Sequence, residues 1–124
     1  MIALDTSAVV AYLAGDPGED VEAVETALEQ RQAVFPPVVL AELLSDPKLT
    51  PDLEELLTEV PLLPLEPDYW RRTGKLRARL LGKGLKARLA DCLIAQSCLD
   101  HEIPLVTRDA DFKTIAKLTS LRLA

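Results

Sequence analysis

The sequence predicts an α/β fold in which a parallel sheet carries helices on both faces. Two patterns support this expectation. Short apolar runs bounded by turn residues are typical of buried strands, and longer segments repeat apolar residues at helical spacing. The two kinds of segment alternate from end to end, as they do when helices connect parallel strands. The chain has 124 residues, and domains commonly hold roughly 100–200, so residues 1–124 are expected to form a single domain.

The predicted strands lie at residues 1–4, 33–35 and 105–107, with a brief strand within 60–65 and an edge strand at 121–123. The first apolar run closes at Asp5, and the second is ended by Pro36 and Pro37. Prolines at 61 and 64 limit any strand there, because proline cannot donate a ladder hydrogen bond.

Helices are predicted at residues 6–13, 19–32, 38–44, 53–60, 68–81, 86–101 and from 109 onward. The helix at 68–81 is basic and amphipathic, and its expected apolar face consists of Trp70, Leu76, Leu80 and Leu81. The helix at 86–101 is the longest and most apolar. Because Trp70 is at helical spacing with Leu76 and Leu80, it is expected in the core or at a dimer interface. The alternative is that its ring stacks on a base.

Composition excludes several classes of protein. Hydrophobic residues make up 48 % and charged residues 27 % of the chain, which is typical of globular proteins and not of disordered or fibrous ones. Cys92 and Cys98 are roughly 9 Å apart along the predicted helix axis, too far for a disulfide, so they are expected to be buried thiols. No apolar run is long enough for a membrane helix and no signal peptide is visible. The protein is expected in the cytoplasm.

Charge is distributed unevenly along the chain. The net charge is −6, yet residues 69–90 contain eight basic residues and no acid. This stretch is interpreted as a rim that contacts nucleic-acid phosphates; an ordinary solvated helix face or a protein-contact surface is the alternative. The residues singled out for the rim are Arg72, Arg79, Lys83, Lys86 and Arg88.

Several carboxylates lie among apolar neighbours, where an unpaired charge is costly. Asp5 follows the first strand, Glu42 lies in the apolar segment 38–44, and Asp91 lies in the most apolar helix. Asp109 and Asp111 follow the strand at 105–107. Each has a structural alternative: a helix cap for the acids that follow strands, a solvated helix edge for Glu42 and a paired core residue for Asp91.

Taken together, these acids predict a cation site. The carboxyl ends of parallel strands share one edge of the sheet, so acids that follow different strands are expected to meet. Clustered carboxylates without His or Cys favour Mg²⁺ or Mn²⁺, as one or two ions. Such ions hold phosphate oxygens and activate water for phosphodiester hydrolysis. The hydroxyls of Thr6, Ser7 and Thr107 are placed to hydrogen-bond the ligands or the water.

The ordered set of motifs resembles the PIN-domain nuclease family, and within it the VapC-type toxins of toxin–antitoxin modules. The resemblance covers essentially the whole chain. Its motifs are Asp5-Thr6-Ser7, Ala41-Glu42-Leu43, Ala90-Asp91-Cys92-Leu93-Ile94-Ala95 and Thr107-Arg108-Asp109-Ala110-Asp111-Phe112. The segment before Asp91 departs from the family, since it lacks the Gly-x-x-Asp or Pro-x-Asp pattern that often stands there.

The resemblance implies a three-layer α/β/α sandwich and a Mg²⁺- or Mn²⁺-dependent endoribonuclease. Asp5, Glu42 and Asp91 match the family's most regular acids. Asp109 is the first choice for the fourth acid and Asp111 the second. The family also implies an RNA substrate, a homodimer, and a cognate antitoxin that blocks the acidic pocket.

Two other functions remain open on the sequence alone. A phosphatase with an aspartyl nucleophile at Asp5 would need a second Asp at position 7, where this chain has Ser7. A non-catalytic RNA- or antitoxin-binding module would use the same pocket without cleavage. Nucleotide-cofactor folds lose their main support because no Gly-rich phosphate loop is present.

Overall fold

The computed structural model describes residues 1–124 and contains one parallel sheet. Its strands are β1 (Ile2–Leu4), β2 (Ala33–Val34) and β3 (Leu105–Val106). The order is β2-β1-β3, so β1 lies at the centre. Ile2 lies opposite Ala33, and Leu4 lies opposite Val106. The predicted parallel α/β architecture is therefore confirmed.

Seven helices surround the sheet: α1 (Thr6–Leu13), α2 (Glu19–Glu29), α3 (Pro37–Leu44), α4 (Pro51–Thr58), α5 (Tyr69–Gly82), α6 (Leu89–His101) and α7 (Asp111–Leu118). Helix α1 packs against α2 and α3, and α6 packs against α3, α5 and α7. None of them combines the length and the hydropathy that crossing a membrane requires.

Two helices in the first half of the chain have different ends from those predicted. Helix α2 ends at Glu29 rather than at residue 32, and Arg31 just beyond it has a φ of 54°, a left-handed conformation that a right-handed helix cannot continue. Helix α4 begins at Pro51 rather than at residue 53. Its start is fixed by Thr50, whose Oγ1 accepts a hydrogen bond of 3.3 Å from the Leu53 amide.

Two helices in the second half begin later than predicted. Helix α6 starts at Leu89 because Ala87, before it, is buried and its carbonyl accepts a hydrogen bond of 2.8 Å from Arg77 Nε. Helix α7 starts at Asp111 rather than at Asp109. The Asp109 carboxylate accepts a hydrogen bond of 2.9 Å from the Asp111 amide, which favours a turn there over a helix.

The outer edges of the sheet are shorter than the sequence predicts. The proline-containing segment contributes one parallel bridge, between Phe35 and Leu62, and the C-terminal segment contributes one between Leu105 and Leu123. Pro61 accepts a hydrogen bond of 2.9 Å from the Phe35 amide, yet it has no N–H to extend the ladder. Both predicted edge pairings are therefore present, but as single bridges.

The core is one cluster of 26 buried residues that joins the sheet to the helices. Leu4, Leu105 and Phe112 are completely buried, so the central strands and the start of α7 are held by apolar packing. Cys92 and Cys98 are free and buried, as predicted from their helical spacing.

The predicted core face of α5 is partly wrong. The buried residues of this helix are Tyr69, Thr73, Leu76 and Leu80. Trp70 is 68 % exposed and Leu81 is 47 % exposed. Tyr69 faces the core in place of Trp70. The Tyr69 hydroxyl donates a hydrogen bond of 2.5 Å to the Leu93 carbonyl of α6, and this bond holds α5 in a rotation that turns Tyr69 inward and Trp70 outward.

Candidate metal centre

The site begins at the carboxyl edge of the sheet, where the two central strands end. Asp5 follows β1 directly, and Thr107 follows β3, its parallel neighbour. The Asp5 amide donates a hydrogen bond of 2.9 Å to the Val106 carbonyl, so the strand ladder itself sets the position of Asp5. This is the edge at which ligands bind in open α/β sheets.

Asp5 is held by two hydroxyl groups. It is 4 % exposed, and its Oδ2 accepts hydrogen bonds from Ser7 Oγ at 2.6 Å and from Thr107 Oγ1 at 2.7 Å. These bonds satisfy one carboxylate oxygen and leave the other without a protein donor. A buried carboxylate whose second oxygen is unpaired is oriented for a further ligand.

The loop between β3 and α7 is tied to the same hydroxyl groups. Thr107 Oγ1 accepts a hydrogen bond of 3.0 Å from the Asp109 amide, and Ser7 Oγ accepts one of 3.0 Å from the Arg108 amide. The carboxylate of Asp5 and the backbone that carries Asp109 are therefore parts of one hydrogen-bonded unit.

Three acids from two helix starts and this loop form the densest negative cluster. Asp91, Asp109 and Asp111 each offer a carboxylate oxygen, and these atoms lie within 4.8 Å of one another. The structure thus brings both candidates for the fourth acid to Asp91. Each is partly buried, and Lys86 Nζ lies 3.5 Å from Asp111 Oδ2.

The electrostatics of Asp91 connect the cluster with Asp5. The pKa of Asp91 is raised to about 6, first by burial and then by the charges of Asp109, Asp5 and Asp111, against which Arg88 acts to lower it. Since carboxylates raise one another's pKa only when they are close, the four acids share one negative potential. The ionised cluster is unfavourable without a cation.

Glu42 lies beside Asp5 but outside the dense cluster. Its side chain is exposed on α3, and its Oε1 accepts a hydrogen bond of 2.7 Å from Thr6 Oγ1. Thr6 is the residue after Asp5, so this bond places the Glu42 carboxylate at the same edge of the sheet.

The predicted rim residues divide into two groups. Lys86 and Arg88 lie next to the acids, as the Lys86–Asp111 contact and the effect of Arg88 on the Asp91 pKa show. Arg72 forms a two-pronged ion pair with Asp100, farther along α6. Arg79 donates a hydrogen bond of 3.2 Å to the Leu118 carbonyl, and Lys83 follows the end of α5.

Sequence reasoning missed the role of Arg108. Its guanidinium donates two hydrogen bonds to Asp20, at 2.7 and 2.9 Å, and one of 2.8 Å to the Pro17 carbonyl. These contacts fasten the α1–α2 loop and the first turn of α2 to the loop that carries Asp109. The sequence alone carried no signal for this contact; in the structure Gly18 has a φ of 143°, and an added Cβ there would lie 2.8 Å from Arg108 Nη2.

The donor set suits a hard divalent cation. All candidate ligands are carboxylate oxygens from Asp5, Glu42, Asp91, Asp109 and Asp111, and no His or Cys belongs to the cluster. Oxygen-only sites of this kind favour Mg²⁺, Mn²⁺ or Ca²⁺ over zinc. The raised pKa of Asp91 and the unpaired oxygen of Asp5 are both features that a bound cation would relieve.

An open parallel sheet with carboxylates gathered at its carboxyl edge defines an α/β protein with an acidic centre. A family model described as PIN domain matches residues 2–118, and the chain belongs to the PIN-domain family. The family resemblance drawn from the sequence motifs is confirmed.

Full-length relatives agree with this assignment. The chain is 34 % identical, over 133 aligned positions, to VapC ribonuclease Mb1587 of Mycobacterium bovis and to ribonuclease VapC11 of Mycobacterium tuberculosis. Each alignment covers 100 % of this chain and 98 % of the relative.

Solved structures show the same fold. The VapBC2 complex of Rickettsia felis, bound to a DNA fragment from its promoter, matches with a TM-score of 0.76 and 25 % identity over 100 % of this chain and 98 % of that chain. VapBC-5 of Mycobacterium tuberculosis, a member of the VapBC family of toxin–antitoxin systems, matches with a TM-score of 0.66 and 25 % identity over 98 % of this chain and 94 % of that chain.

Proposed function

We propose that this protein is a Mg²⁺- or Mn²⁺-dependent endoribonuclease and the toxin of a type II toxin–antitoxin system, with residues 1–124 as one nuclease domain. The observation that carries the proposal is the meeting of acids from distant segments. Carboxylate oxygens of Asp91, Asp109 and Asp111 lie within 4.8 Å of one another, and the charge of Asp5 also acts on Asp91. The ribonuclease names of its full-length relatives support RNA as the substrate.

In this proposal Asp5, Glu42, Asp91 and Asp109 hold the metal, with Asp111 beside them. A bound divalent ion would hold phosphate oxygens and make water a better nucleophile at neutral pH. Each of these residues carries a carboxylate near the carboxyl edge of the sheet. This supports metal binding without a change of fold.

The remaining residues orient the acids and attract the substrate. Ser7 and Thr107 keep Asp5 fixed through their hydroxyl groups, which limits reorganisation when charge develops on the reacting phosphate. Lys86 and Arg88 stand at the margin of the acidic cluster. Their charges offset the repulsion between the carboxylates and an RNA phosphate.

The proposed partners are a cognate antitoxin and a second copy of the chain. Relatives of known structure are VapBC complexes, which supports an antitoxin. The indole of Trp70, which is 68 % exposed, is a candidate contact for the second copy. Free, buried thiols fit a reducing, cytoplasmic location.

The test is metal-dependent cleavage of single-stranded RNA by purified protein. Cleavage is expected with Mg²⁺ or Mn²⁺, none with EDTA, and a loss of at least about 100-fold in Asp5→Asn and Asp91→Asn, since even residues that only support metal ligands cost 10–100-fold. Asp52→Asn, at an exposed position of α4, is the matched control and should keep full activity.

Two results would contradict the proposal. Unchanged cleavage by Asp5→Asn and Asp91→Asn would exclude the acidic cluster as the reaction site. Mn²⁺ binding without cleavage of any RNA would instead favour the non-catalytic module.

A further inference from the structure

A second charged feature lies away from the acidic cluster. An open groove of about 800 Å³ runs between α5, α6 and the end of α7. Its charged lining residues are all basic: Arg72, Lys75 and Arg79 from α5, and Lys117 from α7. No carboxylate lines it, although the chain as a whole has a net charge of −6.

Three basic residues of α5, together with Lys83 directly after its end, form one straight stripe. Arg72, Lys75, Arg79 and Lys83 are separated by three, four and four positions, which places them on one face of a helix. At 1.5 Å per residue the stripe is roughly 16 Å long. Lys117 faces it across the groove, so cations border the groove on two sides.

The stripe leads to the acidic cluster. Arg79 bonds to the Leu118 carbonyl at the end of α7. Farther along the same segment, Lys86 contacts Asp111 at the start of α7. Basic residues of this segment therefore contact both ends of α7, one beside the groove and one beside the carboxylates.

The free positive charge of the groove belongs to three side chains. Arg72 is neutralised by Asp100, which also accepts a hydrogen bond from Gln96. Lys75 and Lys117 have no ion-pair partner, and Arg79 contacts only a carbonyl oxygen. No carboxylate of the chain pairs with Lys75, Arg79 or Lys117, so an anion from another molecule is the partner that their charges would attract.

We propose that this groove binds the sugar–phosphate backbone of the RNA strand on one side of the bond that is cut. The inference rests on the proposed ribonuclease function and extends its substrate contacts beyond the acidic pocket. RNA is favoured over an acidic protein segment because basic side chains lie both in the groove and, at Lys86, beside the acidic cluster where a phosphodiester would react. Contacts of this kind give affinity without reading sequence.

The test uses two matched double variants. Lys75→Gln with Lys117→Gln removes two unpartnered groove charges, and Arg31→Gln with Lys48→Gln removes two exposed charges elsewhere. Binding of a fluorescent single-stranded RNA is measured in EDTA at several salt concentrations, which separates binding from cleavage. Cleavage of the same RNA and of a dinucleotide is then measured with Mn²⁺.

The groove variant should have a salt slope smaller by about 1.4, because each lost phosphate contact on a single strand contributes about 0.7. If the proteins bind equally at about 1 M salt, this corresponds to about 25-fold weaker binding at about 0.1 M. Its kcat/KM should fall on the longer RNA and stay unchanged on the dinucleotide, which cannot reach the groove. The control variant should resemble the wild type.

Equal RNA binding by the two double variants would overturn the groove assignment. A fluorescent Glu-rich peptide is measured in the same binding assay. If the groove variant lost affinity for this peptide but not for RNA, the groove assignment would also be overturned, and a protein partner would be indicated. Groove-dependent binding by a wild-type protein that cleaves no RNA would contradict the proposed ribonuclease function and leave the groove assignment standing.

Discussion

Asp91→Asn should stabilise the metal-free protein while abolishing its activity. The pKa of Asp91 is raised from 3.8 to about 6, first by burial and then by Asp109 and Asp5. A rise of this size corresponds to about 3 kcal/mol against the ionised form. Because Asp91 is only partly buried, solvent screening reduces this figure, and we expect a net effect of about 1–2 kcal/mol.

The pH dependence of the effect has a definite sign. Below pH 4, Asp91 is protonated in both the folded and the unfolded protein, so the substitution should change stability little. Between pH 4 and 6 the unfolded chain loses the proton first, and the wild type becomes progressively less stable than Asp91→Asn. Above pH 6 the difference should stay constant.

The assay is urea and thermal unfolding in EDTA at a series of pH values. At neutral pH we expect a Tm higher by roughly 3–8 °C for Asp91→Asn. Added Mn²⁺ should stabilise the wild type more than the variant, since a ligand stabilises a protein more when it binds the folded state more tightly. The gain in Tm should therefore shrink or reverse with the metal.

Asp100→Asn in the same helix is the matched control with the opposite sign. Burial raises the pKa of Asp100, but hydrogen bonds from Arg72 and Gln96 outweigh it and lower the pKa overall. The ionised form is thus favoured in the folded state, and its removal should destabilise the protein above pH 4. An Asp91→Asn protein that is less stable than wild type at neutral pH in EDTA would refute the electrostatic argument.

Three further predictions test the surroundings of the site. Thr107→Val should lower activity about 10–100-fold and stability by about 1–3 kcal/mol, because it removes the hydroxyl that bonds Asp5; Thr107→Ser should restore both in cleavage and melting assays. Glu42→Gln should lower Mn²⁺ affinity in calorimetry, yet change stability by less than about 0.5 kcal/mol, since the side chain is exposed and its bond from Thr6 is kept; a larger loss of stability would indicate a structural role. Cys98 is 1 % exposed and burial raises its pKa to about 12, so its alkylation at pH 8 should follow the unfolding rate, and rapid alkylation of the folded protein would contradict the buried position.

Most of the fold could be read from local patterns. The buried strands at the start of the chain and before Thr107 are short apolar runs, and the parallel sheet follows from their alternation with helices. The boundaries were less predictable, because they depend on single hydrogen bonds such as the one from the Asp111 amide to Asp109. The inward face of α5 was predicted correctly at Leu76 and Leu80 but wrongly at Trp70 and Leu81, since the bond from Tyr69 to α6 helps to set the rotation of the helix.

The candidate acids were identifiable for a similar reason. A carboxylate at or shortly after the end of a buried strand lies near the edge of the sheet, so Asp5 and Asp109 could be placed from the sequence. Asp91 was noticeable because an acid in so apolar a helix needs a partner. The choice between Asp109 and Asp111 could not be made, and the structure places both beside Asp91.

The sequence by itself determined the order of the elements, the parallel sheet and the acids that end its strands, because these follow from periodicity and from residue type along short stretches. Only the tertiary structure decided that Arg108 bonds to Asp20 in the first turn of α2 and that Lys117 lines the groove beside the basic stripe. Such contacts join segments far apart in the chain. They depend on how complete helices pack against one another, and no local pattern encodes that packing.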